Sequence, residues 1–129
     1  MVKVAWVSRH KPLVKQIEEL TKKLKKIEVF VFDKTYRDAD EVYSDIVKAG
    51  CKYAVLVLPL SMIAKLIKHK DITWLWAEMV PIHSCNLNKC KEFNPESDVW
   101  LPTKNNLGRH LRFNKFRKIK KVELIFEEW

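Results

Sequence analysis

The sequence predicts an α/β fold: a mostly parallel sheet, ordered βαβαβαβ along the chain and extended by a C-terminal β-ribbon. Three observations carry that expectation. Over the first 80 residues, short β-rich runs alternate with helical patterns at the spacing of right-handed βαβ units. The run Tyr53–Leu58 is apolar throughout, as befits a central strand covered on both faces. After Pro81 that rhythm stops, and Arg109–Phe113 and Lys121–Glu127 alternate polar with apolar instead.

Each element has its own signature. Lys3–Val7 reads as a buried strand, followed by Ser8, Arg9, His10 and Lys11, and then by Pro12, which suits a first helical turn. Leu13, Ile17, Leu20 and Leu24 form the stripe of an amphipathic helix whose outer face carries Lys15, Glu18, Glu19, Lys22, Lys23 and Lys26. A second strand, Ile27–Phe32, ends at Asp33. Asp38 with Glu41 three residues later resembles a capping box, and Gly50 stands where a left-handed helix end belongs. The helix between them buries Val42, Ile46 and Ala49. After the third strand, Pro59-Leu60-Ser61 opens a helix with Ile63, Leu66 and Ile67 inward, ending near Lys70. Ile72–Met79 supplies the fourth strand, with Glu78 near its end.

At the level of fold the whole resembles a small Rossmann-like three-layer sandwich, of the kind found in nucleotide-sensing domains. Such a likeness does not by itself assign a function. A chain of 129 residues is one domain's worth. Within residues 1–129 we expect a parallel α/β body over 1–81, an irregular Cys/His-containing excursion over 82–108, and a basic β-ribbon over 109–127.

Composition narrows the function classes. With 47% hydrophobic and 32% charged residues the chain is not of disordered type. Its two glycines exclude a P-loop and a G-x-G-x-x-G turn, both of which need several for close approach to phosphate. The longest uncharged apolar run, Tyr53–Ala64, is too short for a bilayer and contains Pro59, so no membrane partner is expected. The first apolar run meets Ser8-Arg9-His10 too early for a signal peptide, and three cysteines make no disulfide framework. A cytoplasmic protein is the expectation. The Lys/Glu/Ile-rich composition, with a single glutamine, is compatible with a thermophilic source.

The net charge of +9 is local. Lys104–Lys121 holds eight basic residues and no acidic one, leaving 17 basic against 16 acidic elsewhere. Arg109, Arg112, Lys115, Arg117, Lys118 and Lys120 are therefore candidates for nucleic-acid binding, each phosphate contact releasing counterions. A solvated face, with Phe113 and Phe116 in the core, accounts for the same pattern.

In an open parallel sheet, ligands sit beyond the carboxyl ends of the strands. Those positions are Ser8, Arg9 and His10 after strand one, and Asp33 with Lys34, Thr35 and Tyr36 after strand two. Ser61 follows strand three, and Glu78 and His83 follow strand four. Ser8, Arg9 and Ser61 are candidate ligand contacts, since hydroxyl, guanidinium and helix N-terminus all suit phosphate. Ser8 and Ser61 serve equally well as plain helix caps. If the crevice is catalytic, His10 is the acid/base and Glu78 or Asp33 its carboxylate partner. His83, Cys85 and Cys90 make an H-x-C-x4-C set with soft-ligand chemistry, so zinc is one reading; an incidental loop or a local disulfide are others.

The leading expectation is a small protein that binds a nucleotide or nucleic-acid phosphate through strand-end residues and the basic ribbon. One alternative is a phosphodiesterase- or nuclease-type enzyme. Another is a structural or homodimeric module using its tryptophans, five in the chain. The resident cofactor is left unassigned.

Overall fold

Runs of β-branched and aromatic residues form the first two strands, β1 (Val2–Val7) and β2 (Ile27–Phe32). In the computed structural model, which describes residues 1–85, 91–103 and 107–129 (backbone alone at 84 and 85), they pair in parallel from Val2 opposite Ile27 to Val7 opposite Phe32. Helix α1 (Val14–Leu24) connects them. Its entry is closed by Gln16, whose Oε1 accepts from the Leu13 N–H at 2.8 Å, in place of a hydroxyl cap.

Helix α2 (Ala39–Ala49) begins and ends on the expected residues. The Asp38 carboxylate accepts from the Glu41 N–H at 2.9 Å, and Gly50 closes the helix at φ 76°. Strand β3 (Tyr53–Leu56) runs parallel to β1 on the side away from β2, and helix α3 (Leu60–Leu66) leads to β4 (Thr73–Cys85). The start of β4 pairs in parallel with β3, from Tyr53 opposite Thr73 to Val55 opposite Leu75.

Beyond that point the architecture departs from the expected one. Strands β5 (Asp98–Pro102) and β6 (Gly108–Lys118) pair antiparallel with each other, and β6 lies antiparallel beside β4. The sheet is six-stranded and mixed, in the order β2-β1-β3-β4-β6-β5, with three helices among the described residues. It is therefore not the mostly parallel Rossmann-like sandwich that the periodicity suggested. The reason is physical: a parallel neighbour needs a crossover of a dozen or more residues, usually helical. No helix follows Leu66 among the described residues, so the later strands join antiparallel.

Pro81 does not end β4, although proline usually marks a strand boundary. The span read as an irregular excursion thus contains the end of β4 and all of β5. Lys121–Glu127, read as a strand, has no regular structure.

The chain divides into two compact units: Met1–Lys11, Lys26–Trp76 and Arg117–Trp129 in the first, Pro12–Lys25 and Ala77–Phe116 in the second. The first holds the apolar core, in which Val42, Ile46, Ala54, Leu56, Ile63 and Leu66 are fully buried. Burying one such aliphatic side chain stabilises by about 2 kcal/mol. The second holds a buried polar cluster around Asp98.

Candidate functional site

Because β2 lies on one side of β1 and β3 on the other, the chain leaves β1 and β2 in opposite directions, which makes the carboxyl end of β1 a topological switch point. The register brings the ends of the three strands side by side: Val7 lies opposite Phe32 on one side and Leu56 on the other. A crevice of about 350 Å³ opens there. Val7, Ser8, Arg9 and His10 line it from β1, Phe32, Lys34, Thr35 and Tyr36 from β2, and Val57, Leu58, Pro59 and Met62 from the approach to α3.

The loop after β1 is pinned from two directions. The Trp6 indole N–H donates to the His10 carbonyl at 2.9 Å, and the Ser8 hydroxyl accepts from the His10 N–H at 3.1 Å. Ser8 is thereby buried and closes a local turn; α1 starts only at Val14, so Ser8 does not cap it. The Arg9 guanidinium donates to the Thr35 hydroxyl, which joins the loops after β1 and β2.

Lys34 is held by Asp45 at 2.9 Å and, more distantly, by Glu41 at 3.8 Å, and it lies over the Tyr36 ring. The hydrogen bond to Asp45 raises its pKa. Tyr36 donates to the same carboxylate at 2.9 Å, and its hydroxyl titrates well above the ordinary phenol value, first through burial and then through that bond. Tyr36 thus remains a neutral donor. Among the described residues lining the crevice none is acidic, while Arg9 and Lys34 are cationic. The walls are apolar and the rim is basic.

Not every expected residue is there. Asp33 is exposed just past β2 and is not among the lining residues. Ser61 is exposed on the first turn of α3, makes no capping hydrogen bond, and does not line the crevice either. Glu78 belongs to the second unit, where it accepts from Asn114 Nδ2 at 2.7 Å. Neither carboxylate proposed as a partner for His10 is a lining residue, and general acid–base chemistry needs its groups within hydrogen-bond reach.

The basic stretch resolves into different environments. Arg112 is bound to Asp98 through Nε at 2.8 Å and Nη2 at 3.0 Å. Arg109 and Lys115 are exposed along β6, as are Arg117, Lys118 and Lys120 further on. In the first unit, Lys118 and Lys120 line a second groove, of about 290 Å³, together with His69, Lys70, Thr73 and Trp74. Its walls are joined by two bonds: the Trp74 indole donates to the His69 carbonyl at 2.9 Å, and the Ile119 N–H to the Trp74 carbonyl at 2.8 Å. The part played by His69 and Lys70 was not read from the sequence, where the basic end of α3 looks like an ordinary solvated helix terminus.

Sequence reading also missed Asp98. Fully buried, it accepts from Arg112, from Ser97 Oγ at 2.7 Å and from the Asn94 N–H at 2.9 Å, and lies 2.6 Å from His110 Nε2. The signal available was Asn94-Pro95-Glu96-Ser97-Asp98, a run of turn-forming side chains. His110 is also fully buried, with His83 edge-on at 4.9 Å. His83 in turn lies 3.4 Å from Glu92. The Cys85 side chain and Cys90 lie outside the described residues. Among the described residues no group of three or more His, Cys, Asp or Glu side chains is arranged to hold a metal ion.

No family model, curated protein or solved structure matches the chain. No described helix is long and apolar enough to cross a membrane.

Proposed function

We propose that this protein binds a phosphate-bearing ligand, a nucleotide or a nucleic-acid phosphate, in the crevice at the ends of β1, β2 and β3. The observation that supports this is the pairing of a basic rim with an apolar wall at the switch point of the parallel strands. Arg9 presents a planar donor suited to phosphate, Thr35 adds a hydroxyl, and no lining residue is a carboxylate. The wall of Phe32, Val57, Leu58 and Met62 suits a base or sugar. The groove formed by Lys70, Lys118 and Lys120 adds a second cationic surface that a polyanion can follow. A cytoplasmic setting agrees with the buried, unpaired Cys51 thiol.

Calorimetric titration with mononucleotides, inorganic phosphate and short oligonucleotides tests the proposal at 50 and 200 mM salt. Wild type is expected to bind a nucleotide or an oligonucleotide, and Arg9→Ala to weaken that binding by about tenfold or more, the loss of a charge-assisted hydrogen bond. Lys118→Ala with Lys120→Ala is expected to flatten the salt dependence of oligonucleotide binding by roughly one to two contacts' worth. Absence of binding by wild type, or binding that Arg9→Ala leaves intact, contradicts the proposal.

A further inference from the structure

Two features of the first unit have no partner within the described chain. One is the outer edge of β2. This strand ends the sheet, pairs with β1 on one side only, and carries Ile27, Val29, Phe30, Val31 and Phe32 with Glu28 as its one charge. It lacks the proline, the in-strand lysine and the bulge by which proteins usually blunt an edge. The other is the segment after β6. Ile119 and Val122 pack on the apolar core, but beyond them Leu124, Ile125, Phe126 and Trp129 are 76–119% exposed. Residues 121–127 have the alternation of a strand and no ladder to join.

We propose that residues 123–128 of one copy add as an antiparallel strand to the β2 edge of a second copy, giving a two-fold symmetric dimer that exchanges tails. Charge selects the direction. With Glu127 opposite Ile27, Glu128 stands opposite Lys26, and no two like charges face each other between residues 123 and 128. In the parallel register that sets Glu123 opposite Glu28, Glu128 meets Asp33, so like charges face each other twice. In the antiparallel register Leu124 faces Phe30 and Ile125 faces Val29, so these two exposed side chains gain apolar cross-strand neighbours. The ion pair that Lys121 makes with Glu123 is exposed and gives way at little cost.

Reach selects the second copy. Ile119 is tied to the Trp74 carbonyl on β4, and β4 is separated from the position outside β2 by at least four strand spacings, roughly 19 Å. The four residues from Ile119 to Glu123 span at most about 14 Å. A tail cannot pair with its own β2 while its anchor holds. In a symmetric pair each tail meets the other's edge, and the same patch serves twice.

Sedimentation velocity across a concentration series provides the test, using the full chain. Wild type is expected to dimerise, and Leu124→Asp with Phe126→Asp to raise the dimer dissociation constant at least tenfold. Both side chains are exposed, so the melting temperature of the monomer should be unchanged, which separates lost pairing from lost folding. Glu128→Lys and Lys26→Glu are each expected to weaken the dimer, and the two together to restore it. A wild type that stays monomeric at hundreds of micromolar, or a dimer untouched by the tail substitutions, overturns the proposal. A dimer that the tail substitutions break but the charge exchange fails to restore overturns the antiparallel register.

Discussion

Asp98 shows how one side chain can organise its surroundings. Burial by itself would raise its pKa, but hydrogen bonds from Arg112, the Asn94 backbone, His110 and Ser97 outweigh burial and hold the carboxyl well below its usual range. A folded-state pKa below the unfolded value means stability that is present above the ordinary carboxylate value of 3.8 and is lost as the pH falls through the lower folded value. Asp98→Asn is therefore expected to destabilise the protein at neutral pH by about 3 kcal/mol, since it leaves a buried His110 and an Arg112 without their anion. It should also reduce the steepness of acid unfolding below pH 4. Urea melts at pH 7 and pH 3 check both statements; equal stability of variant and wild type at pH 7 contradicts them. None of this was legible beforehand, because a turn-forming run does not reveal which of its carboxylates will be buried. The crevice residues were easier to find: Ser8, Arg9 and His10 immediately follow a strong strand signal, and strand ends are where parallel sheets bind ligands. Asp33 and Ser61 failed the same rule for a local reason, since each strand end offers several side chains and only some face the crevice.

Helices were read well because their signals lie within the element itself. The Asp38 cap and the Gly50 terminus need no knowledge of the rest of the fold. Gly50 adopts φ 76°, where a side chain is strained, although an added Cβ would meet only the Lys3 side chain at 3.7 Å. Gly50→Ala is thus expected to cost about 1 kcal/mol through backbone conformation rather than through packing, and Asp38→Ala about 1 kcal/mol through the lost cap. Thermal melts give both; a Gly50→Ala protein as stable as wild type contradicts the strained-turn reading. Strands were harder. Alternation says that a segment fits a pleated, half-buried surface, not which neighbour it will find. Arg109–Phe113 found β5, whose three-residue apolar island Val99-Trp100-Leu101 is too short to be read as a strand by alternation. A close approach helps to fix that pair: a Cβ on Gly108 would sit 1.9 Å from the Trp100 ring. Lys121–Glu127 alternates as clearly and pairs with nothing in its own described chain.

At the scale of the whole molecule, the first 80 residues supported parallel pairing because each of the first three strands was followed by a connection long enough to cross over. Sequence order alone could not show that the remaining strands join the same sheet antiparallel, since alternation does not name a strand's neighbour. The charge is more informative when divided. Arg112 is committed to Asp98, whereas Lys118 and Lys120 border a groove with Lys70. The net charge of +9 therefore describes neither a uniform surface nor a single site.

If the crevice at the ends of β1, β2 and β3 takes a phosphate-bearing ligand, titration of the labelled full chain with a mononucleotide will show it in the amide chemical shifts. Saturable shifts centred on residues 8–10, 34–36 and 57–62, lost in Arg9→Ala, are expected. Saturable shifts centred elsewhere, or no shifts with any nucleotide at millimolar concentration, would contradict the proposal.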